Sequence, residues 1–254
     1  MSIRIGVQMY TVRSLLKSPE STEEAFRCCR EMGAQCVQAY PVPSVSAAFL
    51  SELSKKYELP ICTVHADFNR VKNDLDRLAE AFLTFDCKAI GIGMMPGQYR
   101  TKGMEGTKAF AQLLNETGDK LQKYGMNVTY HNHAFEFKRV NWQTHYDYLL
   151  ENTEPNVHFT PDVYWIKAGG SEPEGVLEKL RGRTLVMHLK DWKKGIPPFN
   201  MKEIGAGALD FDSILKCAES IGVRDAVIEL DHAKKPWQSL ENSLRFLRRM
   251  EDSA

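Results

Sequence analysis

Apolar residues of strand character gather into eight short runs. They are "IRIGVQMY" (3–10), "CVQAY" (36–40), "PICTVHA" (60–66), "KAIGIGM" (88–94), "NVTYHN" (127–132), "VHFTPDV" (157–163), "TLVMHLK" (184–190) and "AVIELD" (226–231). Each is too short for a helix of ordinary length. Between and after them lie segments with helical spacing and charged outer faces, at 22–33, 45–59, 73–86, 105–125, 144–153, 173–182, 211–222 and 239–250. The first of these ends on Gly33, a glycine stop before the next run.

Strands that are apolar on both faces and alternate with helices imply a parallel sheet with right-handed crossovers. Eight such units in 254 residues predict an α/β fold, a single (β/α)8 TIM barrel spanning 1–254 as one domain. The rival is an open doubly wound sheet, which usually carries a glycine-rich phosphate turn after its first strand. That place holds "YTVRSLLKS", without glycine. No linker or low-complexity tract divides the chain.

Composition narrows the function. Lys plus Arg and Asp plus Glu both number 33, so the net charge is zero and no basic nucleic-acid footprint is visible. No apolar run approaches the ~20 residues of a membrane span. The six cysteines form no CxxC pair, as expected for reduced thiols. With no signal-peptide layout at the N-terminus, a cytoplasmic location is the expectation.

In such a barrel chemistry collects where strands end. Those ends carry Gln8 and Tyr10; His65 and Asp67; His131, Asn132 and His133, with Glu136 just beyond; Asp162; His188, Lys190 and Asp191; and Glu229 and Asp231. A single histidine there is most often a hydrogen-bonded structural residue, and a single Asp such as Asp162 a helix cap. Four consecutive strands bringing carboxylates and imidazoles to one rim are harder to explain that way. Desolvating neighbouring carboxylates is costly unless a cation compensates. Oxygen ligands with imidazole, and no cysteine at the rim, point to one divalent ion: Mn²⁺, Zn²⁺, Mg²⁺ or Co²⁺.

The segments "IGVQMYTVR", "YHNHAFEF", "PDVYWIKAGG", "MHLKDW", "EIGAGALDF" and "VIELD", in this order, together resemble the sugar phosphate isomerase/epimerase family of xylose-isomerase-like barrels. The resemblance implies one catalytic metal held by strands 5 to 8, here by Glu136, Asp162, His188 and Glu229. For strand 5 two readings stand. Counting from Gly125 places His131 where many members have the ligand Glu, and alternation puts His133 on its face and Glu136 on the other. Alternation lapses once the strand ends near Asn132, however, and a carboxylate would balance the cation. Glu136 is therefore the expected ligand and His131 the alternative.

The resemblance also implies proton removal beside a sugar carbonyl, with the metal stabilising an enediolate. His131, His133, His65 and Glu229 are the candidate proton carriers, and Lys190 a donor to the developing oxyanion. Isomerisation or epimerisation of a sugar or polyol is expected. The His-Asn-His pattern is similar to a branch with inosose dehydratases and 3-keto-glycoside lyases, which keeps a lyase outcome open. No phosphate nest is visible, so an unphosphorylated substrate fits at least as well. Tyr10, Tyr164, Trp165 and Trp192 lie beside the expected site, as sugar platforms or as core edge. Related barrels include abasic-site endonucleases, which need more ligands and a basic face. A non-catalytic sugar-binding barrel is the remaining alternative. Barrels of this kind often pair, so a homo-oligomer is also an expectation.

Overall fold

The computed structural model describes residues 3–252. Its eight strands are β1 (Arg4–Gln8), β2 (Val37–Ala39), β3 (Ile61–His65), β4 (Ala89–Ile92), β5 (Asn127–His131), β6 (Val157–Thr160), β7 (Val186–Leu189) and β8 (Asp225–Ile228). All neighbours run parallel, in the order β6-β5-β4-β3-β2-β1-β8-β7. The remaining seam, between β6 and β7, is bridged by backbone bonds. Phe159 N–H donates to the Arg183 carbonyl and His188 N–H to that of Pro161, both at 2.8 Å. A parallel bridge between Asp162 and His188 sets those two residues level across the seam. The result is the expected TIM barrel, nearly closed.

The helices between and after the strands are α1 (Pro19–Glu31), α2 (Ala47–Lys56), α3 (Leu75–Leu83), α4 (Gly103–Gln122), α5 (His145–Glu151), α6 (Pro173–Glu178), α7 (Phe211–Ile221) and α8 (Pro236–Glu251). Local chemistry sets their ends. Ser18 caps α1 with its side chain on the Ser21 N–H, and Pro19 fills the first turn. Asp210 caps α7, which stops at Gly222 in the left-handed region at φ +94°. No helix among the described residues is long and apolar enough to cross a membrane, and all six cysteines are free thiols.

Side-chain alternation sorts each strand into an outer face under the helices and an inner face toward the barrel axis. Val128, Tyr130, Phe159, Met187, Leu189 and Ile228 are buried in the main apolar core. The opposite faces are smaller or polar. Arg4 pairs with Asp225 (Nε–Oδ1 2.7 Å) near the strands' N-terminal ends. Cys36, Val186 and Val227 form a separate apolar cluster, and the Thr129 and Thr160 hydroxyls bond at 2.8 Å. One alternation further on, Thr129, Thr160, Val186 and Val227 are followed by His131, Asp162, His188 and Glu229.

Five helical turns absent from the periodicity lie in the loops after the strands: Met9–Val12, Phe68–Asn73, Gly97–Arg100, Ala134–Phe137 and Val163–Ala168. Two small antiparallel ribbons join 139–140 to 143–144 and 191–192 to 201–202. These pieces are too short to carry a period, and they shape the barrel mouth.

A candidate metal centre at the barrel mouth

His131, Asp162, His188 and Glu229 each offer one ligand atom, and these atoms all lie within 4.8 Å of one another. None of the four residues is more than 5% exposed. His131 ends β5, Asp162 follows β6 by two residues, His188 lies in β7, and Glu229 directly follows β8. Asp162 is held by two hydrogen bonds. Its N–H donates to Asn132 Oδ1 (3.0 Å), its Oδ1 caps the Trp165 N–H (3.0 Å), and its Oδ2 is left facing the cluster.

The histidines are oriented from behind. His131 Nδ1 lies 3.1 Å from the Gly93 carbonyl, and His188 Nε2 lies 2.8 Å from Gln38 Oε1. The Gly93 partner is a backbone carbonyl and burial keeps the His131 ring neutral, so His131 Nδ1 carries the proton and Nε2 presents a lone pair. His131 Nε2 then faces Asp162 Oδ2 at 3.1 Å, and His188 Nδ1 faces Glu229 Oε2 at 2.9 Å. At the His131 contact lone pair meets lone pair, an arrangement that a shared cation relieves. Backbone or amide oxygens fixing the far nitrogen of a ligating histidine are a regular feature of metal sites. Two imidazoles and two carboxylates suit a borderline divalent ion and neutralise its charge. The residues present therefore fit such an ion.

Lys190 enters the same group. Its ammonium, 1% exposed, lies 2.9 Å from Asp162 Oδ2, 2.7 Å from Glu229 Oε2 and 2.9 Å from Asp231 Oδ1. Burial disfavours that charge, but the three carboxylates outweigh it and hold the ammonium well above the usual lysine range. Burial likewise acts against the Glu229 carboxylate, yet Lys190 and His188 hold it well below the usual range. Burial pushes His65 and His131 well below the ordinary histidine value, and His133 down to about 2.

The profile of the xylose isomerase-like TIM barrel family matches residues 26–250, most of the chain. The chain belongs to that family. Solved structures agree on the fold. A sugar phosphate isomerase/epimerase from Parabacteroides distasonis superposes with a TM-score of 0.79 at 21% identity, covering 98% of this chain and 94% of the other. The probable 3-DHS dehydratase AsbF from Bacillus anthracis gives 0.75 at 15% identity, covering 98% and 99%. The IOLI protein with a bound zinc atom gives 0.74 at 14% identity, covering 98% and 96%. The sequence matches no curated protein.

Within this xylose isomerase-like barrel, Glu136 lies outside the group formed by His131, Asp162, His188 and Glu229. The strand ends at His131 and the chain turns into the short helical segment Ala134–Phe137. Glu136 folds back onto the start of that turn: Oε2 accepts the His133 N–H at 2.8 Å and Oε1 accepts the Tyr130 hydroxyl. It is fully buried, and desolvation raises its carboxyl to about 8 despite those donors. Both oxygens are used in fixing the loop, and it is His131 whose ring nitrogen lies among the grouped ligand atoms of Asp162, His188 and Glu229.

The proposed proton carriers do gather here. The His65 ring lies 5.4 Å from those of His131 and His188, and the His133 ring 4.9 Å from that of His131. His65 Nε2 and His133 Nδ1 are buried without a hydrogen-bond partner. Glycines at 91 and 93 make room for His65, since a Cβ there would meet its ring at 2.6 and 2.8 Å. A cavity of about 570 Å³ opens beside these residues, lined further by Tyr10 and Trp165. Tyr164 is fully buried, its hydroxyl donating to Asn200 Oδ1, and Trp192 is not part of the lining. Asp191 clasps the loop of the "EIGAGALDF" segment by accepting from the N–H groups of Gly205, Gly207, Ala208 and Leu209 at 2.8–3.1 Å. Sequence reasoning gave no role to Asn132, Gln38 or Asp231, all of which support the centre. Their position at strand ends was visible, but their partners were not.

Proposed function

We propose that this barrel is a divalent-metal-dependent isomerase or epimerase that removes a proton beside the carbonyl of a sugar or sugar-like polyol, through an enediolate. The observation that carries the reading is the buried convergence of His131, Asp162, His188 and Glu229, whose ligand atoms lie within 4.8 Å of one another, with the His131 Nε2 lone pair turned onto Asp162 Oδ2. His131, Asp162, His188 and Glu229 would hold the ion, with His131 in place of Glu136. When bound, a divalent ion there supplies Lewis acidity to a carbonyl oxygen. Its identity among Mn²⁺, Zn²⁺, Mg²⁺ and Co²⁺ is open; the zinc named for the IOLI structure supports zinc.

The chain's own residues supply the proton chemistry. His65 and His133 each keep a ring nitrogen without a partner in the wall of the cavity, and burial keeps both neutral at pH 7. Each thus has a ring nitrogen free to accept from a substrate hydroxyl or take up a proton, although the burial that keeps it neutral also weakens it as a base. Lys190 would donate to the substrate oxygen that gains charge with an N–H released from Asp162 or Glu229, and Trp165 and Tyr10 offer ring faces to the apolar side of a sugar. Lys190 is the one lysine or arginine among the described lining residues, and three carboxylates already face it. An uncharged polyol therefore suits the cavity better than a phosphate ester.

The test is deuterium wash-in. Metal-loaded protein is incubated with a panel of ketoses, keto-inositols and 3-keto-glycosides in D₂O and followed by NMR. Exchange at a carbon next to the carbonyl, with an epimer or isomer accumulating, is the expected result. The AsbF dehydratase among the structural neighbours favours β-elimination as a second reading, which would appear as an unsaturated product absorbing in the ultraviolet. No exchange with any substrate would leave the binding-barrel reading.

A further inference from the structure

We propose that Lys190 is a built-in counter-cation of the metal centre, which holds Asp162 and Glu229 in the absence of a divalent ion and moves onto Asp231 when one binds. This inference rests on the metal reading above and adds what controls the ion's affinity. The ammonium contacts Asp162 Oδ2 and Glu229 Oε2, the same two oxygens that face His131 Nε2 and His188 Nδ1. A divalent ion using those oxygens meets a positive charge already placed on them. Lys190 is 1% exposed, so its charge has no direct exit to water.

Asp231 gives that charge somewhere to go. Its Oδ1 lies 2.9 Å from Lys190 Nζ, it lines the cavity, and it is not one of the four grouped residues. The charges also fit. Three carboxylates, Asp162, Glu229 and Asp231, around one ammonium leave two negative charges, which one divalent ion balances. Without Asp231 the ion and the ammonium would share two carboxylates between them. Lys190 and Asp231 thus act as one device: the first competes with the ion, and the second relieves the competition.

Mn²⁺ or Zn²⁺ alone is the probe, titrated against a competing chelator into four full-length proteins: wild type, Lys190→Met, Asp231→Asn and the double variant. Lys190→Met is expected to bind the ion at least tenfold more tightly than wild type. Its melting temperature in chelator should fall, and its gain on adding the ion should exceed the wild-type gain. Asp231→Asn should bind at least tenfold more weakly. In the Lys190→Met background, Asp231→Asn should change affinity by less than threefold, because the ammonium it served is gone. Additive effects of the two substitutions would overturn the proposal, reducing both residues to independent background charges. Unchanged or weaker binding by Lys190→Met would overturn it as well. If Lys190→Met does not fold without the ion, Lys190→Gln takes its place in the same four-protein comparison, with the same expected non-additivity. Wild type that binds no divalent ion refutes the metal reading itself, whereas equal affinities in all four proteins refute only the role of Lys190.

Discussion

Replacing Glu136 by Gln probes the strand-5 loop through its pH dependence. The Glu136 carboxyl is fully buried and raised from an ordinary 4.5 to about 8, desolvation outweighing the Tyr130 and His133 donors. Between those pH values the folded protein keeps a proton that the unfolded chain releases, so stability falls as pH rises. The loss is ~1.36 kcal/mol per pH unit and amounts to about 5 kcal/mol once pH passes 8, an order-of-magnitude figure. Gln cannot ionise, and this contribution to the slope disappears with it. Urea unfolding of both proteins from pH 5 to pH 9, in chelator, should show the variant gaining on wild type as pH rises. Taking the difference cancels His65 and His131, whose lowered values make stability fall with acidification below pH ~6.5 in both proteins. Parallel curves, within about 0.3 kcal/mol per pH unit, would show Glu136 ionised in the native state and return it to consideration as a ligand.

Other substitutions follow from single contacts. Gly93→Ala puts a Cβ 2.8 Å from His65 Nδ1; it should cost about 1–3 kcal/mol and lower the exchange rate in D₂O while the ion is retained. Asn132→Ala strips the Asp162 N–H of its acceptor. A loss of about 1–3 kcal/mol in urea unfolding, with weaker metal binding in chelator titration, is expected. Asp191→Ala removes the acceptor for the N–H groups of Gly205, Gly207, Ala208 and Leu209. It should destabilise by about 3 kcal/mol or more, and hydrogen exchange should localise the loosening to residues 203–209.

The barrel was legible because its signal is periodic and repeated. Eight apolar runs alternating with amphipathic segments fix strands, helices and direction, and the strand ends then name the rim. Period-two alternation placed His131 inward and Glu136 on the other face, which is how the structure has them. The preference for Glu136 rests on charge balance, whereas in the structure the chain after His131 becomes a four-residue helical turn that uses Glu136 as its own cap. Such a turn has no period to read. Long-range partners were equally hidden: Gln38 reaches His188 across 150 residues, and Asn132 reaches Asp162 across 30. The run "GIG" on β4 read as an ordinary strand, because the need for glycine there comes from the His65 ring packed against it.

The central claim is a divalent ion held by His131, Asp162, His188 and Glu229. Elemental analysis of wild type, His131→Ala and Glu136→Gln, each purified and dialysed against Mn²⁺ or Zn²⁺, tests it most directly. One ion per chain in wild type and in Glu136→Gln, with its loss from His131→Ala, is the predicted result. Retention by His131→Ala with loss from Glu136→Gln would contradict it.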